Sequence, residues 1–343
     1  MDATANQGSE KMTPAAPSGL APDETEVLRA APCVPIARHR LHLIAETAVR
    51  LPAYAGSTWR GALGHALKRT VCVTGGRHCP DCLLYRSCVY PYVFETPPPE
   101  RAEKLRKYPA APHPFVIEPW PDCRDLAPGE TFGVDLVLIG RGQGQLAYFI
   151  EALRRAGQGG IGKGAARGEG RYALAYVEQE TAAGWQTIYT AGGRLESQPS
   201  HTPNIPPLPA GPVCVELSTP LRLKVAEDLV TPERLRFRDF FSALLRRLSL
   251  LSYFHTDTPL DTDFRALVQA AETVPLSDAD LRWHDWMRYS ARQDALLQMG
   301  GLVGTFTLPG AVLAPFWPYL WLGQWTHAGK GAVMGLGRYR LIV

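Results

Sequence analysis

Gly162-Lys-Gly-Ala-Ala-Arg-Gly-Glu-Gly-Arg-Tyr-Ala-Leu174 returns near the other end of the chain as Gly329-Lys-Gly-Ala-Val-Met-Gly-Leu-Gly-Arg-Tyr-Arg-Leu341. Nine of the thirteen positions are identical, and Lys, Arg, Tyr and Leu match in register with the glycines. Such a repeat bears on the whole architecture, so it is read before any single element. The segments ahead of each copy also match in type. In the second half, 213–225 reads as a strand. Phe237–His255 reads as a helix, with Phe237, Phe240, Phe241, Leu244, Leu245, Leu248 and Leu251 at helical spacing. Residues 281–289 and 301–308 read as strands, 312–326 as a second helix and 335–343 as a last strand. The first half runs in the same order: a strand at 36–50, a helix at 57–72 with Ser57 as its N-cap, strands at 115–120 and 131–139, a helix at 145–156 and a strand at 171–177. The expected fold is α+β, two tandem ferredoxin-like β-α-β-β-α-β domains. The first spans 36–197, with a cysteine-bearing insertion at about 72–95. A proline-rich linker occupies 198–212, and the second domain spans 213–343 with its own glycine-rich loop.

Composition narrows the function classes. Of 343 residues, 45% are hydrophobic and 20% charged, which is ordinary globular usage. The net charge of +3 is small, so any nucleic-acid surface must come from local clustering of cations. Residues 1–35 are rich in Ala, Pro, Ser and acids, lack the apolar core of a signal peptide, and are expected to form a disordered tail. The stretch 312–322 is too short to span a membrane and is interrupted by Pro315 and Pro318. A cytoplasmic location is therefore expected, where thiols stay reduced. The seven cysteines then read as metal ligands or core residues rather than a disulfide framework.

Glycines let backbone approach a ligand closely, and exposed N–H groups can cradle phosphates. Lys163, Arg167 and Arg171 bring charge to the first loop; Lys330, Arg338 and Arg340 bring it to the second. Neither lysine is followed by Ser or Thr, so the phosphate-loop pattern of nucleotide hydrolases is absent. Each loop follows a helix and opens a strand, which also removes the dinucleotide fingerprint. The bland reading is a tight helix-to-strand connection that merely needs glycine.

His327-Ala-Gly-Lys-Gly-Ala-Val-Met-Gly-Leu-Gly-Arg-Tyr339 resembles the glycine-rich signature of the RAMP superfamily of CRISPR-associated proteins, and more narrowly of the endoribonucleases that cut precursor CRISPR RNA. Gly56-Ser-Thr-Trp-Arg-Gly-Ala-Leu-Gly-His65, Phe237–His255 and the stretch from Trp283 to Gln293 that runs into Gly300-Gly301 are similar to the same family. The resemblance covers residues 36–343. It implies tandem ferredoxin-like domains, a repeat RNA as substrate, and metal-independent cleavage in which the 2′-OH attacks the neighbouring phosphate. The products would be a 2′,3′-cyclic phosphate and a 5′-OH. A general base takes the 2′-OH proton, and cations or N–H groups stabilise the phosphorane. The RNA would lie in a basic cleft between the domains and touch both glycine loops, with Gly329, Lys330, Gly331, Gly335, Gly337 and Arg338 on one side and Lys163 and Arg167 on the other. The rival reading is a non-catalytic RAMP subunit that holds processed RNA as a scaffold among other CRISPR effector subunits.

Three residues are candidates for the chemistry. His65 falls beside Arg60, Lys68 and Arg69 on the polar face of the first helix, opposite the stripe of Trp59, Ala62, Leu63, Ala66, Leu67 and Val71. In the family resembled, that helix often carries the base. His327 directly precedes the second glycine loop, and Tyr54 could orient the 2′-OH. His255 reads as a core or helix-end residue and His284 as a packed one. The alternation of the first strand does not decide how His39 and His42 face.

Cys72, Cys79, Cys82 and Cys88 follow the pattern C-x6-C-x2-C-x5-C. The central pair has the spacing of a zinc hairpin, and four thiolates suit a closed structural zinc site. An iron–sulfur cluster uses four cysteines too. With every ligand from protein, no position stays open for catalysis, which argues against a zinc-dependent hydrolase.

Overall fold

The computed structural model describes residues 32–76, 78–99, 111–121, 123–290 and 295–343, with backbone alone at 288–290 and 295–297. The expected tail, apart from residues 32–35, lies outside them.

In the first half, β1 (Ile36–Ala45), α1 (Gly56–Val71), β2 (Phe115–Pro119), β3 (Thr131–Ile139), α2 (Leu146–Gly159) and β4 (Tyr172–Thr181) follow in order. An added hairpin strand, β5 (Gly184–Thr190), completes an antiparallel sheet of order β2-β3-β1-β4-β5. In the second half come β6 (Val213–Leu221), α3 (Phe237–His255), α4 (Phe264–Ala270), β7 (Ser277–Ser290), β8 (Ala295–Leu308), α5 (Trp317–Thr326) and β9 (Tyr339–Ile342). Their sheet has the order β7-β8-β6-β9. With β5 set aside, both sheets show the 4-1-3-2 order of a ferredoxin-like fold.

The repeat is explained by backbone chemistry that occurs twice. Lys163 N–H donates to the Arg50 carbonyl at 2.9 Å, and Lys330 N–H to that of Arg222 at 2.8 Å. The Tyr172 hydroxyl donates to the Leu153 carbonyl nineteen residues back; Tyr339 does the same to Leu320. Thr47 and Thr219 each accept from the N–H of the repeat arginine, Arg171 and Arg338, at 2.9 Å. A single 3-10 turn sits in each loop, flanked by left-handed glycines: Gly164 and Gly168 in the first, Gly331 and Gly335 in the second. Side-chain-bearing residues are strained there, so four glycines persist.

Strand alternation puts Leu41, Leu43 and Ala45 against α1 and α2, with Trp59, Phe132, Phe149 and Tyr172 filling that core. Val34, Ile36, Val116, Val137 and Ile139 of the same half join the second core, around Phe240, Phe241, Leu244, Phe306 and Leu320. Residues 32–343 form one compact unit.

Several sequence expectations need correcting. The first helix begins at Gly56 with Ala55 as N-cap, and Ser57 caps nothing. A Cβ on Gly56 would stand 1.9 Å from the Met334 carbonyl, so tertiary packing sets this helix start. The last helix starts at Trp317 rather than 312, since Pro318 is compatible only with a first turn. The strand expected over 36–50 ends at Ala45. His284 is exposed on β7, not packed.

Candidate nucleic-acid interface and active site

The two halves meet around a buried acid. Glu118, on the apolar strand β2, is 4% exposed. Arg38 donates to its Oε2 at 2.6 Å, His327 Nε2 lies 2.8 Å from its Oε1, and Arg338 of the second half stands at 3.6 Å. Burial alone would raise this carboxyl; the hydrogen bond and charge of His327, then Arg38 and Arg338, outweigh it and hold the pKa at about 2. Arg38 and Arg40 also reach Asp135, which accepts from Trp120 Nε1 at 2.7 Å. Burial pushes the His327 imidazole down, against the upward pull of Glu118. Its other nitrogen faces the Leu336 carbonyl at 3.2 Å.

Tyr54 closes the seam from the loop ahead of α1. Its hydroxyl donates to the Met334 carbonyl at 2.7 Å. Burial, followed by the nearby Glu118 charge, pushes the phenol far above its usual range. Trp286, from the long β7–β8 hairpin, tilts against the Tyr54 ring with centroids 4.8 Å apart.

Three cavities border this region and α1. One, of about 480 Å³, is lined by Tyr54, Glu118, Trp120, Arg124, Arg338 and Arg340. A second, of about 530 Å³, also touches Tyr54 and is lined by Arg50, Ser57, Thr58, Lys163 and Trp286, with Asp125 on its wall. The third, of about 650 Å³, lies where α1 meets α2 and holds His65, Arg69, Arg154, Arg155 and Gly160. Thr58, Gly61, His65 and Arg69 share one stripe of α1 by their spacing of three and four. The helix rise places His65 about 10 Å from Thr58. The first-turn N–H groups of α1 have no partner within the helix, no side chain caps them, and no acid sits in that turn. That end carries a partial positive charge beside Arg50 and Lys163.

The expected site residues thus separate. His65 and Arg69 are exposed in the third cavity; Lys163 and Arg167 are exposed on the first glycine loop. Arg60 stacks over Phe94 at 5.2 Å and Lys68 over Tyr90 at 5.4 Å, so both face the insertion. In the second loop Lys330 is exposed and Gly329 and Gly331 half-buried, whereas Gly335 and Gly337 are buried and Arg338 turns to Glu118. His327 is fully buried and Tyr54 has committed its proton, so both hold the seam. His39 points into the core, while His42 stacks on Tyr176 on the opposite sheet face at 4.0 Å. Cys72, Cys79, Cys82 and Cys88 line one small cavity, although among the described residues no three His, Cys, Asp or Glu stand ready to hold a metal ion. Sequence reasoning missed Glu118, whose signal was an acid in the apolar run Phe115-Val-Ile-Glu, and the Arg154-Arg155 pair on α2. No described helix is long and apolar enough to cross a membrane.

The chain is two ferredoxin-like units that meet at a charged seam, with the second glycine loop built into it and the first exposed beside the α1 N-terminus. Residues 215–339 match the family described as CRISPR-associated endoribonuclease Cas6. Residues 34–201 match a family described as an N-terminal domain. No curated protein is similar enough in sequence to count as a match. Among solved structures, a Cas6 product complex aligns with TM-score 0.54 at 18% identity, over 90% of this chain and 99% of that one. Thermus thermophilus Cas6 aligns at 0.51 and 16% identity, over 90% and 99%. A partial Cas6-RT-Cas1–Cas2 complex aligns at 0.52 and 14%, over 90% of this chain and 46% of the other. At these identities the structural likeness speaks for the fold.

Proposed function

We propose that this chain cuts CRISPR repeat RNA by 2′-OH attack, with no metal ion in the chemical step. The observation that carries the reading is the stripe on α1: a helix N-terminus flanked by Arg50 and Lys163 leads to an exposed His65 surrounded by Arg69, Arg154 and Arg155. RNA phosphates lie along this stripe. His65 takes the 2′-OH proton, the O2′–P bond forms and the P–O5′ bond breaks. The departing 5′-oxygen takes a proton from water, and the arginines offset the charge that builds on the phosphorane. Tyr54 and His327 act as positioning residues, through the loop and the seam. Recognition rests on phosphate contacts and RNA shape.

The test is to incubate the protein with its cognate repeat RNA in excess EDTA and identify the product ends. Cutting should persist and leave a 2′,3′-cyclic phosphate and a 5′-OH. Loss of cutting in EDTA, or products with 3′-OH and 5′-phosphate ends, would contradict the mechanism. Tight binding with no cutting would favour the scaffold reading.

A further inference from the structure

The segment between α1 and β2 is not used by the seam or by the α1 stripe, yet it concentrates four of the seven cysteines. We propose that Cys72, Cys79, Cys82 and Cys88 bind one zinc ion as a closed four-thiolate site, which fastens this segment to the C-terminal end of the helix that carries His65.

Three observations converge. First, all four cysteines line the same cavity, of about 20 Å³, on the scale of a single ion. Second, the local backbone already has the required turns. Cys79-Pro-Asp is one 3-10 turn, closed by the Cys82 N–H on the Cys79 carbonyl at 2.9 Å, the knuckle a C-x2-C zinc hairpin needs. The Thr74 hydroxyl lies 3.5 Å from Cys82 Sγ and 3.9 Å from Cys72 Sγ, so it bridges the pair to the end of α1. Third, burial does not account for the order of the cysteine-bearing stretch 72–88: none of its described residues is buried, and Val73 is 82% and Leu83 88% exposed. All four cysteines are free of disulfides. Four thiolates around one zinc ion carry a net charge of about −2, and Lys68 on the cavity wall offsets part of it. As neutral thiols the four sulfurs are not gathered into a tetrahedron among the described residues; zinc, by displacing their protons, draws them together.

Cys72 is the C-cap of α1. Beyond the cysteines the chain returns along the helix, with Tyr90 under Lys68 and Phe94 so close to Gly64 that a Cβ there would meet it at 2.8 Å. The zinc site therefore anchors the end of this strap that meets the C-terminus of α1, and Phe94 against Gly64 holds it further along the helix.

The test is elemental analysis of the purified full chain. The expected result is about one zinc per chain and little iron. Cys79→Ser with Cys82→Ser should lower zinc at least about tenfold, whereas Cys214→Ser, on β6, should leave it unchanged. If the double variant does not fold, the wild type is titrated with an organomercurial in the presence of a chromogenic zinc chelator; about one zinc should be released as the thiols react. A wild-type protein without zinc, zinc retained by the double variant, or iron with acid-labile sulfide would each overturn the proposal. None of these readouts depends on RNA cutting.

Discussion

The two glycine loops share nine of thirteen residues and almost the same hydrogen bonds, yet one faces solvent and the other is built into the seam. The differing positions account for this. Arg167 and Glu169 of the first loop correspond to Met334 and Leu336 of the second, and both of the latter are buried. The shared glycines and tyrosines build the loop, and the unshared residues decide what it does. In the first copy they leave an open cationic loop beside the α1 N-terminus. In the second they make a plug held by Tyr54, Gly56 and Glu118.

This contrast can be broken by substitution at equivalent glycines. Gly168 and Gly335 have nearly the same positive φ, 81° and 84°. A Cβ at Gly168 meets nothing within 4 Å, whereas at Gly335 it meets the Ile117 carbonyl at 2.5 Å. Gly168→Ala should cost about 1 kcal/mol from backbone strain. Gly335→Ala should cost at least about 3 kcal/mol, since the seam must also open. Urea titration checks both, and equal costs would refute the plug.

Glu118→Gln comes next in size. The Glu118 carboxyl titrates near 2 in the fold, below its ordinary 4.5. Its contribution is therefore complete above pH about 4.5 and is lost as pH falls from there toward 2. The shift corresponds to about 3 kcal/mol. The variant should be destabilised by a similar amount at pH 7 and should lose the wild type's extra pH dependence in that acid window. Stability against pH for both proteins is the measurement; parallel curves would remove Glu118 from the seam's energetics.

Lys163→Ala and Lys330→Ala give the smallest effect. Lys163 lines a cavity beside the helix N-terminus. Its loss should weaken RNA binding by about 1 kcal/mol and reduce the salt dependence by about one phosphate contact. Lys330→Ala should change both less. A reversed order would move the RNA path to the second loop.

Much of this was legible in the sequence. The repeat and the apolar spacing of Phe237–His255 led to the order of elements and to that helix at its observed bounds. His65 fell on the polar face by spacing alone and is exposed. The seam was not legible, because Glu118, His327 and Arg338 are brought together by packing between halves, across separations of more than two hundred residues. The strand β5 and the helix α4 lie outside the repeating unit, so the repeat gave no cue to them. The Met334 and Leu336 substitutions were the one sequence cue to a buried second loop, and they show only when the two copies are compared position by position.

The most direct measurement is single-turnover cleavage of the cognate repeat RNA by the wild type and by His65→Ala, with RNA affinity determined alongside. The account predicts a rate lowered by about 10²–10⁴ with affinity nearly unchanged. Undiminished cutting by His65→Ala would contradict the central claim that the stripe along α1 is the active site.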